Sequence, residues 1–217
     1  MLKIHSFIFS PVQENTYIIY DDDSRDAIIV DPGCMRHSEE ESLRSFIEEH
    51  GLTPKLLLCT HQHFDHIWGV PFVLRTWPDL PAYGHRKDFE LLPPASEQLK
   101  KFGLTLPAED IPMSRYTLVD QDDVIPFAGE DIRVLFVPGH APGHIAFYFP
   151  TPGMLLAGDT LLRGTIGRTD FWYGDYDQLI AGIQQQYMTL PDETIVYSGH
   201  GPETTIGYER RTNGFLR

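Results

Sequence analysis

Four stretches of this sequence share one form, an apolar strand-like run that ends in a residue able to bind a metal. Lys55-Leu56-Leu57-Leu58-Cys59-Thr60 leads into His61, and Val134-Leu135-Phe136-Val137 leads through Pro138-Gly139 to His140. Met154-Leu155-Leu156-Ala157-Gly158 leads to Asp159, and Ile195-Val196-Tyr197-Ser198-Gly199 leads to His200. The last three runs turn on a glycine, which permits a sharp change of direction after a strand. Taken singly, a Gly-Asp or Gly-His after a strand is an ordinary turn. Repeated four times, the form calls for a fold in which several strands deliver their carboxyl ends to a common site.

The first run ends most densely. His61-Gln62-His63-Phe64-Asp65-His66 places three histidines and an aspartate in six positions. Neutral imidazole and carboxylate donors suit zinc, or iron in a similar site. A lone histidine in such a loop is more often hydrogen-bonded or solvated, but four candidate ligands in six residues leave that explanation little room. His61 and His63, two apart on an extended segment, project to the same side and can share one ion. Asp65, Gly69 and Pro71 suggest a turn opening into a helix, so Asp65 and His66 lie past the change of direction and face a neighbouring position. The spacing is compatible with two adjacent metals. Gln62 and Phe64 alternate away from the cluster as packing or surface residues. Four of the ten histidines, His5, His37, His50 and His85, have no such context.

At this point the chain resembles the metallo-β-lactamase-fold hydrolases, and more closely their glyoxalase II-like (hydroxyacylglutathione hydrolase-like) branch. The resemblance rests on His61 to His66, Pro138-Gly139-His140-Ala141-Pro142-Gly143-His144, Gly158-Asp159-Thr160-Leu161, Gly164-Thr165-Ile166-Gly167-Arg168-Thr169-Asp170-Phe171 and Ser198-Gly199-His200-Gly201. Asn15-Thr16-Tyr17 and Val30-Asp31-Pro32-Gly33 also match, so the pieces run in family order through almost the whole chain. The resemblance implies a four-layer αββα sandwich in the α/β class. It implies that His61, His63 and His140 hold one metal, that Asp65, His66 and His200 hold a second, and that Asp159 bridges them, with Asp65 and Asp159 as the catalytic carboxylates. His144 and Asp31 match supporting positions that orient ligands without binding metal. Two divalent ions are therefore expected, zinc in the first place, with iron or a mixture as alternatives.

The chemistry so implied is hydrolysis. A hydroxide held between two ions is available near neutral pH, and the same ions polarise a carbonyl, so no nucleophilic serine or cysteine is needed. The substrate implied is a small-molecule thioester, such as a 2-hydroxyacyl conjugate of glutathione or another small thiol. The long form of glyoxalase II carries a carboxy-terminal helical domain that contacts glutathione, whereas 17 residues follow His200 here, so one domain over 1–217 is expected. Arg168, nine positions after Asp159, falls where the long form has a basic residue for the carrier's carboxylate. Its competing reading is a structural salt bridge with Asp170 or Asp175. A mononuclear iron persulfide dioxygenase shares the fold and a Gly-Arg-Thr-Asp-Phe stretch, but commonly has cysteine where His144 stands. A non-catalytic binding protein on this fold is expected to have lost a ligand, and all seven are present.

Composition agrees with a single soluble enzyme. The 217 residues suffice for one large domain with a core. Seventeen basic against 31 acidic residues give a formal charge of −14, so attraction to a nucleic-acid backbone is not expected. Residues 134–158 carry no Asp, Glu, Lys or Arg, but the prolines at 138, 142, 150 and 152, with His140 and His144, argue against a membrane span. The apolar stretch at the amino terminus is too short for a secretory signal and reads as a strand. Two cysteines, Cys34 and Cys59, indicate no disulfide framework. A cytoplasmic location with no membrane partner is expected, and a β-lactamase role is set aside for want of an export signal.

The pattern predicts strands at about 3–9, 15–20, 26–31, 55–60, 81–84, 132–137, 144–149, 153–157 and 193–197, and helices near 38–50, 66–76 and 176–188. Ser38-Glu39-Glu40-Glu41 reads as the capping signature of the first helix. Residues 86–118, broken at Leu91-Leu92-Pro93-Pro94 and Thr105-Leu106-Pro107, read as short helices and loops.

Overall fold

The computed structural model describes residues 1–101, 103 and 109–217. The predicted break at Thr105-Leu106-Pro107 lies outside them. The chain divides into two compact units, one of residues 1–84 and 93–118, the other of residues 85–92 and 119–217.

The first unit is built on a six-stranded sheet in sequence order: β1 (Leu2–Phe9), β2 (Glu14–Asp21), β3 (Asp26–Val30), β4 (Thr53–Leu58), β5 (Ala82–Gly84) and β6 (Tyr116–Leu118). The first three strands pair antiparallel, and β3 to β6 pair parallel. Residues 15–19 and 27–30 are buried without alternation, as expected of inner strands covered on both faces, whereas the edge strand β1 is only partly buried. Because β3 and β4 run parallel, their carboxyl ends lie together. Asp31 leaves one and Thr60-His61 the other, joined by the Asp31 N–H donating to the Leu58 carbonyl at 3.0 Å.

Helix α1 (His37–Glu49) starts before the predicted cap. Of its two first-turn carboxylates, Glu39 accepts from the backbone of Met35 at 2.7 Å and Arg36 at 3.0 Å, and Ser38 lies inside the helix and does not cap it. Phe46 on α1 stacks with His5 and His50, each with ring centroids 4.1 Å away, which gives both histidines a packing role. The predicted helix at 66–76 is two pieces, α2 (Phe64–Ile67) and α3 (Val70–Thr76). The Gly69 N–H at the break donates to the Pro32 carbonyl at 2.7 Å. Helices α4 (Arg86–Leu91) and α5 (Ala95–Lys101) follow β5. Phe64 packs with Ala95 and Leu99 of α5, and Gln98 receives the Phe64 N–H at 3.0 Å and donates to the Gln62 carbonyl at 2.8 Å. The two non-ligand positions of the histidine cluster are therefore its anchors.

The second unit has its own six-stranded sheet, in the order β14 (Thr204–Thr205), β13 (Ile195–Ser198), β10 (Met154–Gly158), β9 (Ile145–Phe149), β8 (Glu130–Phe136), β7 (Val124–Phe127). A small hairpin, β11 (Leu161–Leu162) with β12 (Thr165–Ile166), follows β10. The uncharged run 134–158 is explained by β9 and β10, which are buried throughout, and no described helix is long and apolar enough to cross a membrane. Helix α6 (Tyr176–Gly182) passes into a π-helical turn, Ile183–Tyr187. Leu179, Ile183 and Tyr187 pack against Leu135, Val137, Ala146, Leu155, Ala157 and Val196 of the sheet. Burying side chains of this size contributes about 1.5–3 kcal/mol each. Helix α7 (Ile206–Thr212) closes the unit through buried Glu209, which accepts from the Gly164 backbone, the Thr204 hydroxyl and the Asn213 amide.

Candidate metal-binding elements

In the first unit the chain extends through His63 and then coils into α2, which carries Asp65 and His66. The His61 ring centroid lies 4.6 Å from that of His63 and 4.2 Å from that of His66. The His66 Nε2 stands 3.9 Å from Asp65 Oδ2.

The proton arrangement around these rings follows from Asp31. Its Oδ1 accepts the Thr60 N–H at 2.7 Å, its Oδ2 accepts the Thr60 hydroxyl at 2.6 Å, and His66 Nδ1 lies 3.1 Å from Oδ2. A carboxylate can only accept, so His66 carries its proton on Nδ1 and presents the Nε2 lone pair. Thr60 has spent its single hydroxyl proton on Asp31. The contact of 3.0 Å between Thr60 Oγ1 and His61 Nδ1 therefore requires His61 to donate, and it too presents an Nε2 lone pair. Asp31, His61 and His66 bring ligand-capable atoms within 4.8 Å of one another, but the Asp31 oxygens already accept from Thr60 and His66. Asp31 thus orients candidate ligands through hydrogen bonds. It does so from a left-handed backbone, with φ of 45°, a conformation costly for a non-glycine residue and commonly held at functional sites.

In the second unit β10 and β13 run parallel, so Asp159 and His200 leave neighbouring strand ends, tied by the Gly199 N–H donating to the Gly158 carbonyl at 2.8 Å. His140 arrives on the loop after β8. Gly139 precedes it with φ of 128°, and a Cβ there would lie 2.5 Å from the Asp175 carbonyl oxygen, so only glycine lets α6 begin against this loop. His140 Nδ1 donates to the Arg168 carbonyl at 2.9 Å, which leaves Nε2 as an acceptor. The His140 and His200 Nε2 atoms stand 3.6 and 3.5 Å from the same atom, Asp159 Oδ2. These spacings are too long for hydrogen bonds. Donors about 2.1 Å from one tetrahedral ion lie roughly 3.4 Å apart, so the spacing is that of co-ligands.

Two further side chains contact residues 159 and 160. His144 Nε2 accepts the Asp159 N–H at 3.1 Å, so His144 faces the backbone of a candidate ligand. Tyr187, fully buried in the π-helical turn, contacts the Thr160 hydroxyl at 2.9 Å. That hydroxyl donates to the Ala157 carbonyl at 2.7 Å, so Tyr187 is the donor, and burial raises its phenol pKa further from ionisation. Sequence reasoning missed Thr60 and Tyr187; the position of Thr60 directly before the first histidine was the available signal, and Tyr187 had none. Arg168 forms a two-point ion pair with Asp170, at 2.7 and 2.8 Å, with its guanidinium 4.3 Å over the Phe171 ring. Cys34 and Cys59 are free and buried, and burial pushes both thiols up, away from nucleophilic reactivity.

Residues 9–200 match the profile of the metallo-beta-lactamase superfamily, so the chain belongs to that superfamily and has its fold. A hydroxyacylglutathione hydrolase, GloC, from Haemophilus influenzae is 38% identical over 205 residues, covering 94% of this chain and 93% of its own. The crystal structure of BLEG-1, a B3 metallo-beta-lactamase, superposes with a TM-score of 0.87 at 35% identity, covering 99% of both chains. The di-iron-bound form of TTHA1623 superposes with a TM-score of 0.83 at 35% identity, covering 98% of this chain and 100% of that one.

Proposed function

We propose that this protein is a dinuclear metal-dependent hydrolase of small-thiol thioesters, similar in activity to hydroxyacylglutathione hydrolase. The observation that carries the reading is the convergence of His140 and His200 on Asp159 Oδ2 at co-ligand spacing. The His140 Nε2 lone pair set against a carboxylate oxygen is an acceptor facing an acceptor, an arrangement that a divalent cation stabilises. In this reading His61, His63 and His140 hold one ion, Asp65, His66 and His200 the other, and Asp159 both. The names of two relatives support the pieces, one a hydroxyacylglutathione hydrolase and one a di-iron protein.

Bound divalent ions supply an activated water and polarise the carbonyl of the substrate. The residues of the chain hold and orient. Asp31 and Thr60 keep the Nε2 lone pairs of His61 and His66 turned outward, the Arg168 carbonyl does the same for His140, and His144 steadies the Asp159 backbone. Asp65 and Asp159 are the two carboxylates assigned to the catalytic centre. Arg168 takes the carboxylate of the thiol carrier, which has to share the guanidinium with Asp170. Residues 1–217 act as one domain in this reading, since one family profile runs through both units. Zinc is the favoured ion and iron the alternative; the buried free thiols suit a reducing, cytoplasmic setting.

The test is a substrate panel on one metal-loaded preparation: a 2-hydroxyacyl glutathione thioester, a neutral thioester of the same acyl group, a glutathione persulfide and a β-lactam. Thioester turnover well above the other two activities supports the reading. Persulfide oxidation or β-lactam opening as the dominant activity would replace it.

A further inference from the structure

Residues 85–92 are a short excursion in the chain. The residues on either side belong to the first unit, whereas these pack with the second. They are fixed there by several contacts. The His85 ring stacks on Phe136 at 4.6 Å, with its Nδ1 accepting the Lys87 N–H at 3.2 Å and its Nε2 lying 3.3 Å from Asp120 Oδ1. Lys87 Nζ also sits over the Phe136 ring, 4.7 Å from its centroid. Phe136 is the last residue of β8, directly before the loop that carries His140 and His144.

The contact with that loop is made by Asp88. Its side chain is almost wholly buried, and its Oδ1 accepts the backbone N–H of Gly143, between the two histidines. The approach is close enough that a Cβ on Gly143 would lie 2.5 Å from the Asp88 nitrogen and 2.8 Å from Oδ1. Burying a carboxylate is costly unless it is hydrogen-bonded. A residue that bears this cost at one loop, 55 positions away in sequence, fixes where the loop runs.

We propose that Asp88 is a positioning residue for the metal site: by holding the Gly143 N–H it fixes the Pro138–His144 loop, and through it the ring of His140 and the contact of His144 with Asp159. The inference rests on the metal assignment above. Without the carboxylate the buried Gly143 N–H loses its acceptor and the loop relaxes, which displaces His140 Nε2 from Asp159 Oδ2. Supporting groups of this kind typically cost 10–100-fold in metal affinity when removed, on the order of that lost from a direct hydrogen-bond partner of a ligand.

The experiment compares wild type, Asp88→Ala and Asp88→Asn by Zn²⁺ affinity in chelator competition and by the Co²⁺ ligand-field spectrum. Amide exchange across residues 138–144 is measured on the metal-free proteins. Asp88→Ala is expected to lower affinity by about 10–100-fold, alter the spectrum and speed exchange in the loop. Asp88→Asn keeps an oxygen for Gly143 and is expected to recover most of the affinity. Wild-type affinity and loop exchange in Asp88→Ala would overturn the proposal, as would equal losses in Ala and Asn variants. If Asp88→Ala does not fold, Asp88→Glu takes its place: it keeps the charge but is one methylene too long, and unchanged affinity and loop exchange there would overturn the proposal. Wild-type protein that binds no Zn²⁺ or Co²⁺ would instead refute the metal assignment, while loop exchange would still test whether Asp88 clamps the loop.

Discussion

The two units prepare their candidate metal ligands in different ways. In each, a parallel strand pair brings two carboxyl ends together, β3 with β4 in one and β10 with β13 in the other. In the first unit the rings are then oriented by side chains, since Asp31 and Thr60 serve both His61 and His66. In the second the partners are mostly backbone groups: the Arg168 carbonyl on His140, the Asp159 N–H on His144 and the Gly143 N–H on Asp88. One half therefore depends on a single buried carboxylate, and the other on the path of its loops. The lesson is that one substitution, at Asp31, should disturb two rings of the first half at once, whereas the supports of the second half are separate residues that can be removed one at a time.

The largest effect tests which half holds the shared ligand. Asp159→Ala is expected to empty both metal positions and to lower thioester turnover by roughly 10³-fold or more, since several kcal/mol of charge stabilisation are lost. Asp65→Ala should empty mainly one position. Metal analysis of the two variants distinguishes them, and equal losses would break the assignment of Asp159 as the bridge.

Next comes the difference in support. Asp31→Ala removes the partner of His66 and, through Thr60, that of His61, so metal affinity should fall about 100-fold, at the upper end for such groups. His144→Ala touches one backbone N–H and should cost about tenfold. Chelator competition on both variants measures the ratio; a reversed order would mean that the second unit is the more dependent on side chains.

A smaller effect is expected at Arg168. Arg168→Met should raise KM for a glutathione thioester about tenfold with kcat little changed, the lower end of a charge-assisted contact because Asp170 shares the guanidinium. A neutral thioester of the same acyl group should be unaffected. Equal losses on both substrates, with a lower melting temperature, would leave Arg168 as a structural partner of Asp170.

The smallest effect concerns His85. Burial holds its pKa below the ordinary 6.5, so the unfolded chain takes up this proton more readily than the folded one. Between the folded value and 6.5 stability therefore rises with pH, and it is lost as pH falls through that window. His85→Phe should show a shallower loss of stability below pH 6.5 in denaturant titrations, and an unchanged slope would show that this ring does not titrate differently on folding.

Much of this was legible in the sequence because strand period and ligand spacing are local signals. The strands that deliver His61, His140, Asp159 and His200 lie where their apolar runs place them. The short strands β6, β7, β11, β12 and β14 were not read, since two to four residues carry too little pattern, and neither was α7. Asp88 could not be read either: its meaning lies in a contact with Gly143, and nothing in Lys87-Asp88-Phe89 announces it. The same holds for Glu209, whose partners Gly164 and Thr204 come from a hairpin and an edge strand that the sequence did not reveal. Asp31 was placed only by resemblance. Its left-handed backbone and its service to two histidines are properties of the folded strand ends.

The central claim is that the two half-sets of ligands share Asp159 and hold a pair of ions. Elemental analysis of the fully loaded, desalted protein tests it most directly. The account predicts close to two metal ions per chain, zinc, iron or a mixture, both lost in Asp159→Ala. One ion per chain, with no second binding event on titration and the same single ion kept in Asp159→Ala, would contradict it.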